Sequence, residues 1–155
     1  ASVSSFPSIP TATLPPNNVK LPMLYMGAGN FTAWAGLVGK GVGVKTAYEY
    51  GDNNQKSILP MVYAAGLQRE DVFLETMIPC GEVDGSPKEM NASFAKHYIE
   101  KDLQLLNTTY VDLLAIHHRC VTHEQTADVW TALEAALDEG KAKAIGNNNR
   151  FYIPS

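Results

Sequence analysis

A phenol, an imidazole, an ammonium and a carboxylate together can move protons, and this sequence carries all four at suggestive places. KTAYEYGD, residues 45–52, supplies Lys45 and Tyr50; DVFLETM, residues 71–77, supplies Glu75; YVDLLAIHH, residues 110–118, supplies His117. A tyrosine becomes a useful acid when a cation nearby favours loss of its proton, and histidine transfers protons near neutral pH. Each residue also has an ordinary reading. Tyr50 serves equally as a core tyrosine with a satisfied hydroxyl, and a lone strand-end histidine is most often simply hydrogen-bonded. Lys45 can lay its stem on the surface and keep its charge in water, with Glu75 wet beside it. HHRCVTH, residues 117–123, offers His117, Cys120 and His123 as metal ligands, but without a second cluster that pattern is weak.

Such groups act together only if the fold gathers them. Residues 1–19 are rich in Ser, Thr and Pro without a period and read as an extended arm, ahead of a domain over 20–155. From Leu21 onward, short apolar runs alternate with helical patterns. Strands are expected over 21–27, 41–46, 71–77, 110–118 and 142–147, and helices near 53–66, 87–106 and 124–139. The middle helix has Ser86-Pro87 as a start signal and apolar spacing through Phe94, Tyr98, Leu103 and Leu106; the last ends at Gly140. Between Gly27 and Lys45 there is too little chain for a full helix, and GKGVGV is a poor helix former, so the first crossover helix is expected to be shortened. Strand–helix alternation predicts a parallel sheet with helical crossovers, with function at the C-terminal ends of the strands. Alternation along a strand puts Phe73, Glu75 and Met77 on one face, with Lys45 turned the same way from the neighbouring strand. By the same rule, only one of His117 and His118 points inward. Cys80 and Cys120 lie three residues past Met77 and His117, which permits a bridge; in a cytosolic protein they would remain thiols.

NNVKLPMLYMGAG, KTAYEYGD, LQREDVFLETMIPC, LQLLNTTYVDLLAIHH and ALDEGKAKAIGNNN, taken in order and spacing, resemble the aldo-keto reductases over roughly residues 17–149. The resemblance implies an incomplete (β/α) TIM-barrel-like domain of about five parallel strands. It also implies a site made from an aspartate and a tyrosine after the second strand, a lysine ending the third and a histidine ending the fourth, with NADPH as hydride donor. Tyr50 matches the tyrosine and His117 the histidine. Lys45 stands where the family has the aspartate, and Met77 where it has the lysine, so the charged pair reads as reversed onto Lys45 and Glu75. A lysine on the second strand would still bring a cation near the Tyr50 hydroxyl. Asn148 and Asn149 fall where the family's Ser and Asn contact the nicotinamide amide, and Tyr25 replaces a small residue in the first-strand turn. No glycine-rich dinucleotide loop follows a strand, and the sequence ends where a sixth strand would begin. The expectation is therefore no cofactor, NADPH being disfavoured, and acid–base chemistry of isomerase, dehydratase or cyclase type on a carbonyl-bearing small molecule, using Tyr50, His117, Lys45 and Glu75. A catalytically dead binding or structural module is the alternative, and a residual NADPH-dependent carbonyl reductase a further one.

The totals exclude other classes. At 155 residues, 45% hydrophobic and 18% charged with a net charge of −4, the chain has the composition of one globular domain and lacks the basic surface that nucleic acid requires. No apolar run approaches the roughly 18 residues of a membrane span. Without a signal-like start a cytoplasmic location is expected; sequons at Asn30, Asn91 and Asn107 make secretion the alternative. An open sheet exposes edges, so self-association into a homo-oligomer, or cover by the N-terminal arm, is expected.

Overall fold

In the computed structural model, which describes residues 9–28, 41–81 and 89–148, the chain begins with a hairpin. Strands β1 (Thr11–Leu14) and β2 (Val19–Pro22) pair antiparallel. Where the composition suggested only an extended arm over 1–19, Thr-rich β1 thus finds a partner across the Pro15–Asn18 turn. Asn17 Nδ2 donates to the Lys143 carbonyl at 3.0 Å and pins the hairpin tip to the sheet's lower end.

A second sheet holds the remaining strands in chain order: β3 (Tyr25–Gly27), β4 (Gly43–Lys45), β5 (Leu74–Ile78), β6 (Leu113–Ile116) and β7 (Ile145–Asn147). Every neighbouring pair is parallel. Helices α1 (Asp52–Ala64), α2 (Ala92–Leu106) and α3 (His123–Asp138) make the crossovers from β4 onward. This is the expected architecture, five parallel strands with flanking helices. The expectation of a shortened first crossover helix falls in residues 29–40, outside the described residues.

Strand alternation divides the sheet into two chemistries. One face carries Val44, Leu74, Ile78, Leu114 and Ile116, all buried against helix residues such as Ile58, Ile99, Leu106 and Leu133. Each such side chain contributes about 1.5–3 kcal/mol by leaving water. The opposite, concave face carries Lys45, Glu75 and Met77, and among the described residues its buried apolar cluster is small, Ala47, Met77 and Ala115. The helix-facing layer also holds a dry polar seam. Thr46 donates to Gln55 Oε1; Gln55 Nε2 and Thr76 Oγ1 each lie 2.5 Å from an oxygen of Asp102. All four residues are buried.

The lower end is held by charge. Asp112 accepts from Arg69 Nη2 at 2.8 Å, Lys143 Nζ at 2.8 Å and the Leu74 amide at 3.0 Å. The Arg69 guanidinium and Lys143 ammonium both lie over the Tyr110 ring. Gly43 is required here, because a Cβ would stand 2.9 Å from the Tyr25 ring.

Two helix expectations change. Helix α2 starts at Ala92, not 87, with the Asn91 side chain accepting from the Phe94 amide as its cap; Ser86-Pro87 lies outside the described residues. Its buried stripe runs through Ala95, Ile99, Leu103 and Leu106, while Phe94 is exposed. The spacing of 95, 99, 103 and 106 follows the helical period better than a stripe begun at 94. Helix α3 ends as expected, with Gly140 at φ +72° just past it.

Candidate active site

The site residues come from the C-terminal ends of β4 to β7. Lys45 is the last residue of β4 and pairs in register with Glu75 of β5. Its ammonium lies 3.0 Å from Glu75 Oε1 and donates to Asn148 Oδ1 at 2.6 Å. Lys45 therefore reaches across the concave face, from the second strand of the sheet to the residue just past the fifth. Glu75 is nearly sealed, with 7% of its side chain exposed, against 29% for Lys45. A carboxylate that dry needs its partner cation. Met77, one step along β5, is buried between Ala47 and Ala115, so the register where the family has its lysine is apolar here.

After β4 the chain turns through a short 3-10 helix, Tyr48–Tyr50. That turn presents Tyr50 and Glu49 in different directions. Tyr50 is about half exposed, 49%, and its ring meets the His117 ring edge to face at 5.7 Å between centroids. Glu49 turns inward, and its Oε2 lies 2.5 Å from His117 Nδ1 and 3.7 Å from His118 Nε2. The two imidazoles lie against each other, 3.8 Å between centroids. The expectation that only one of them faces inward is corrected. Strand β6 ends at Ile116, so the two-residue alternation no longer governs residues 117 and 118, and both rings turn to one carboxylate. Burial, then the neighbouring His117, hold His118 below the usual histidine range, with Glu49 acting in the opposite direction.

On the floor of the same face Tyr25 packs edge-on against Phe73. Its hydroxyl is buried and, among the described residues, has no hydrogen-bond partner. Burial pushes this phenol well above the usual tyrosine range, with Glu75 and then Asp112 adding to it. It is a poor proton donor.

Cys80 and Cys120 are joined in a disulfide, their Cα atoms 4.8 Å apart. The bridge ties the segment after β5 to the segment carrying His117 and His118. It also removes Cys120 from the Cys120, His117 and His123 metal set, because a disulfide sulfur is no thiolate ligand; His123 is exposed at the start of α3.

The fold thus brings together Lys45, Glu75 and Asn148 in one group and Tyr50 and His117 in another. Asn149 lies outside the described residues. Sequence reasoning missed Glu49 and His118. A carboxylate next to Tyr50 and a histidine next to His117 were the available signals, but period-two reasoning does not reach into turns.

The sequence profile of the Aldo/keto reductase family fits residues 44–150. The chain belongs to the aldo-keto reductase family. It is 29% identical over 142 residues to 9,11-endoperoxide prostaglandin H2 reductase of Trypanosoma cruzi, covering 86% of this chain and 46% of that protein. It is 28% identical to aldo-keto reductase family 4 member C11 of Arabidopsis thaliana, covering 80% of this chain and 45% of that one. The chain spans less than half the length of these curated relatives. Among solved structures, an aldo/keto reductase from Brucella melitensis superposes with a TM-score of 0.73 at 25% identity, over 93% of this chain and 56% of that one. A Bombyx mori aldo-keto reductase solved in complex with NADP has a TM-score of 0.69 at 19% identity, over 92% of this chain and 51% of that one, a likeness of fold.

Among the described residues, no helix is long and apolar enough to cross a membrane.

Proposed function

We propose that the protein carries out acid–base chemistry on a carbonyl-bearing small molecule at the C-terminal mouth of the strands, without a nicotinamide in the family's position. One observation carries this reading: Lys45 Nζ donates to Asn148 Oδ1 at 2.6 Å while paired to Glu75. In the family this register contacts the nicotinamide amide; here the acceptor is already engaged from within the chain. Met77 adds to the misfit, because a buried thioether supplies no ammonium on β5. The residues described do not fit the ring as the family holds it, and no step is routed through it.

Tyr50, half exposed at the mouth, is the proton donor to the carbonyl oxygen. His117, oriented through Nδ1 by Glu49, binds that oxygen or relays the proton. The Lys45–Glu75 pair supplies an ordered charge on the adjacent strands, with lysine and carboxylate exchanged between them relative to the family. Incubation with a panel of small aldehydes and ketones, followed by mass spectrometry without added cofactor, tests this. Isomerised, dehydrated or cyclised product is expected, with loss of at least about a hundredfold in rate on Tyr50→Phe. No product from any carbonyl, with binding retained in Tyr50→Phe, would make the protein a binding module instead.

A second reading, NADPH-dependent carbonyl reduction, is favoured by membership of a family whose named relatives here are reductases. NADPH fluorescence titration separates the two: a micromolar dissociation constant supports the second and overturns the first.

A further inference from the structure

Three ligand atoms converge where the family's chemistry uses one. A carboxylate oxygen of Glu49 and one ring nitrogen each of His117 and His118 all lie within 4.8 Å of one another. We propose that Glu49, His117 and His118 form a binding site for a borderline divalent cation of the zinc type.

The donor set argues for that class. Two imidazoles and one carboxylate suit zinc, cobalt and their first-row neighbours, whereas calcium and magnesium prefer all-oxygen shells. The geometry is close to what an ion needs. Metal–ligand bonds of about 2.0–2.1 Å in a tetrahedral site put ligand atoms about 3.3 Å apart. The carboxylate already stands 3.7 Å from His118 Nε2 and must retreat by less than about 1 Å from His117 Nδ1, now at 2.5 Å. The ligands are sparingly exposed, with 9% of the Glu49 side chain, 11% of His117 and 33% of His118 reaching solvent. An ion can therefore enter from the His118 side and remain largely dry.

The backbone favours permanence. His117 and His118 follow directly from β6, and two residues later Cys120 is bridged to Cys80. Glu49 sits in a turn anchored by the hydrogen bond from the Tyr50 amide to the Ala47 carbonyl. Each ligand is thus within a few residues of a fixed point. Among the described residues the site has three protein ligands, the number that catalytic zinc sites use. What the ion would do there rests on the carbonyl reading above: it would polarise the substrate oxygen beside Tyr50.

Untagged protein, stripped with chelator and dialysed, should be titrated with Zn2+ by calorimetry and with Co2+ by visible absorption. One equivalent of Zn2+ at micromolar affinity, and the ligand-field bands of low-coordinate Co2+, are expected. Glu49→Gln and His118→Ala should each weaken binding by at least about tenfold, with folding checked by circular dichroism; Glu49→Asp should retain the ion more weakly if Glu49→Gln fails to fold. Exposed His97→Ala and His123→Ala should change nothing. No saturable binding, or equal binding in Glu49→Gln, would overturn the site. Tyr50→Phe should keep the ion; in the unsubstituted protein, metal binding without turnover on any carbonyl sinks the carbonyl reading alone, and turnover unchanged by chelation sinks only the ion's part in it.

Discussion

Replacing Asp102 with asparagine should stabilise the protein at neutral pH and leave it little changed near pH 4. Asp102 is fully buried on α2, with no cation among its hydrogen-bond partners in the described residues, facing Gln55 and Thr76. Burial raises its carboxyl from 3.8 to about 6, although hydrogen bonds from Thr76 and Gln55 pull the other way. The folded chain therefore holds this proton more tightly than the unfolded chain. The associated stability is full below about pH 4, declines as pH rises and is gone above about pH 6. At about 1.4 kcal/mol for each tenfold in proton affinity, the loss is about 3 kcal/mol. Asparagine has no proton to lose. It fits the seam if the Gln55 amide turns over, since the introduced amide then accepts from Thr76 and donates to Gln55, which donates to Thr46. Urea unfolding of both proteins, followed by circular dichroism between about pH 4 and 8, gives the difference in stability at each pH. Groups common to both cancel in that difference. It should grow by about 2–3 kcal/mol in favour of the variant as pH rises. A difference that stays flat with pH would refute the reasoning, even if the variant were uniformly more or less stable.

Two further outcomes follow from contacts on the concave face. Glu75→Gln and Lys45→Met should each destabilise by about 1–3 kcal/mol, below a fully buried pair because Lys45 is partly wet, and the double variant should recover part of the loss; additive effects in urea unfolding would mean that the charges act independently. Reducing the Cys80–Cys120 bridge, which closes a separation of 40 residues, should lower stability by about 4 kcal/mol on the chain-entropy account, read as a shift of the unfolding midpoint with reductant; an unchanged midpoint would remove the bridge from the forces holding the mouth.

Gly81 shows why that mouth tolerates little variation. It has φ +92°, and a Cβ there would lie 2.2 Å from the Arg119 carbonyl oxygen. The segments after β5 and β6 are thus pressed together by backbone as well as by the disulfide. Few side chains could be added between them, and His117 and His118 inherit their position from that packing.

Legibility in the sequence followed the reach of local periodicity. The five strands could be read because short apolar runs alternate with helical ones, and the side shared by Lys45 and Glu75 could be read because neighbouring parallel strands keep a two-residue period in common. Past Ile116 the strand ends and the rule ends with it, so alternation does not hold for His117 and His118, and both face Glu49. Glu49 was illegible for the same reason, since a 3-10 turn rotates each residue by about a third of a circle. Asp102 failed differently. On the helical period it falls with the buried residues Ile99, Leu103 and Leu106, but a carboxylate there reads as solvated unless its partners are known. Those partners, Gln55 and Thr76, come from another helix and a strand. The functional consequence is specific. What the strands align, the Lys45–Glu75 pair, departs from the family pattern in plain view, whereas what the turns assemble, Glu49 with two histidines, had to be seen in three dimensions before its chemistry could be asked about.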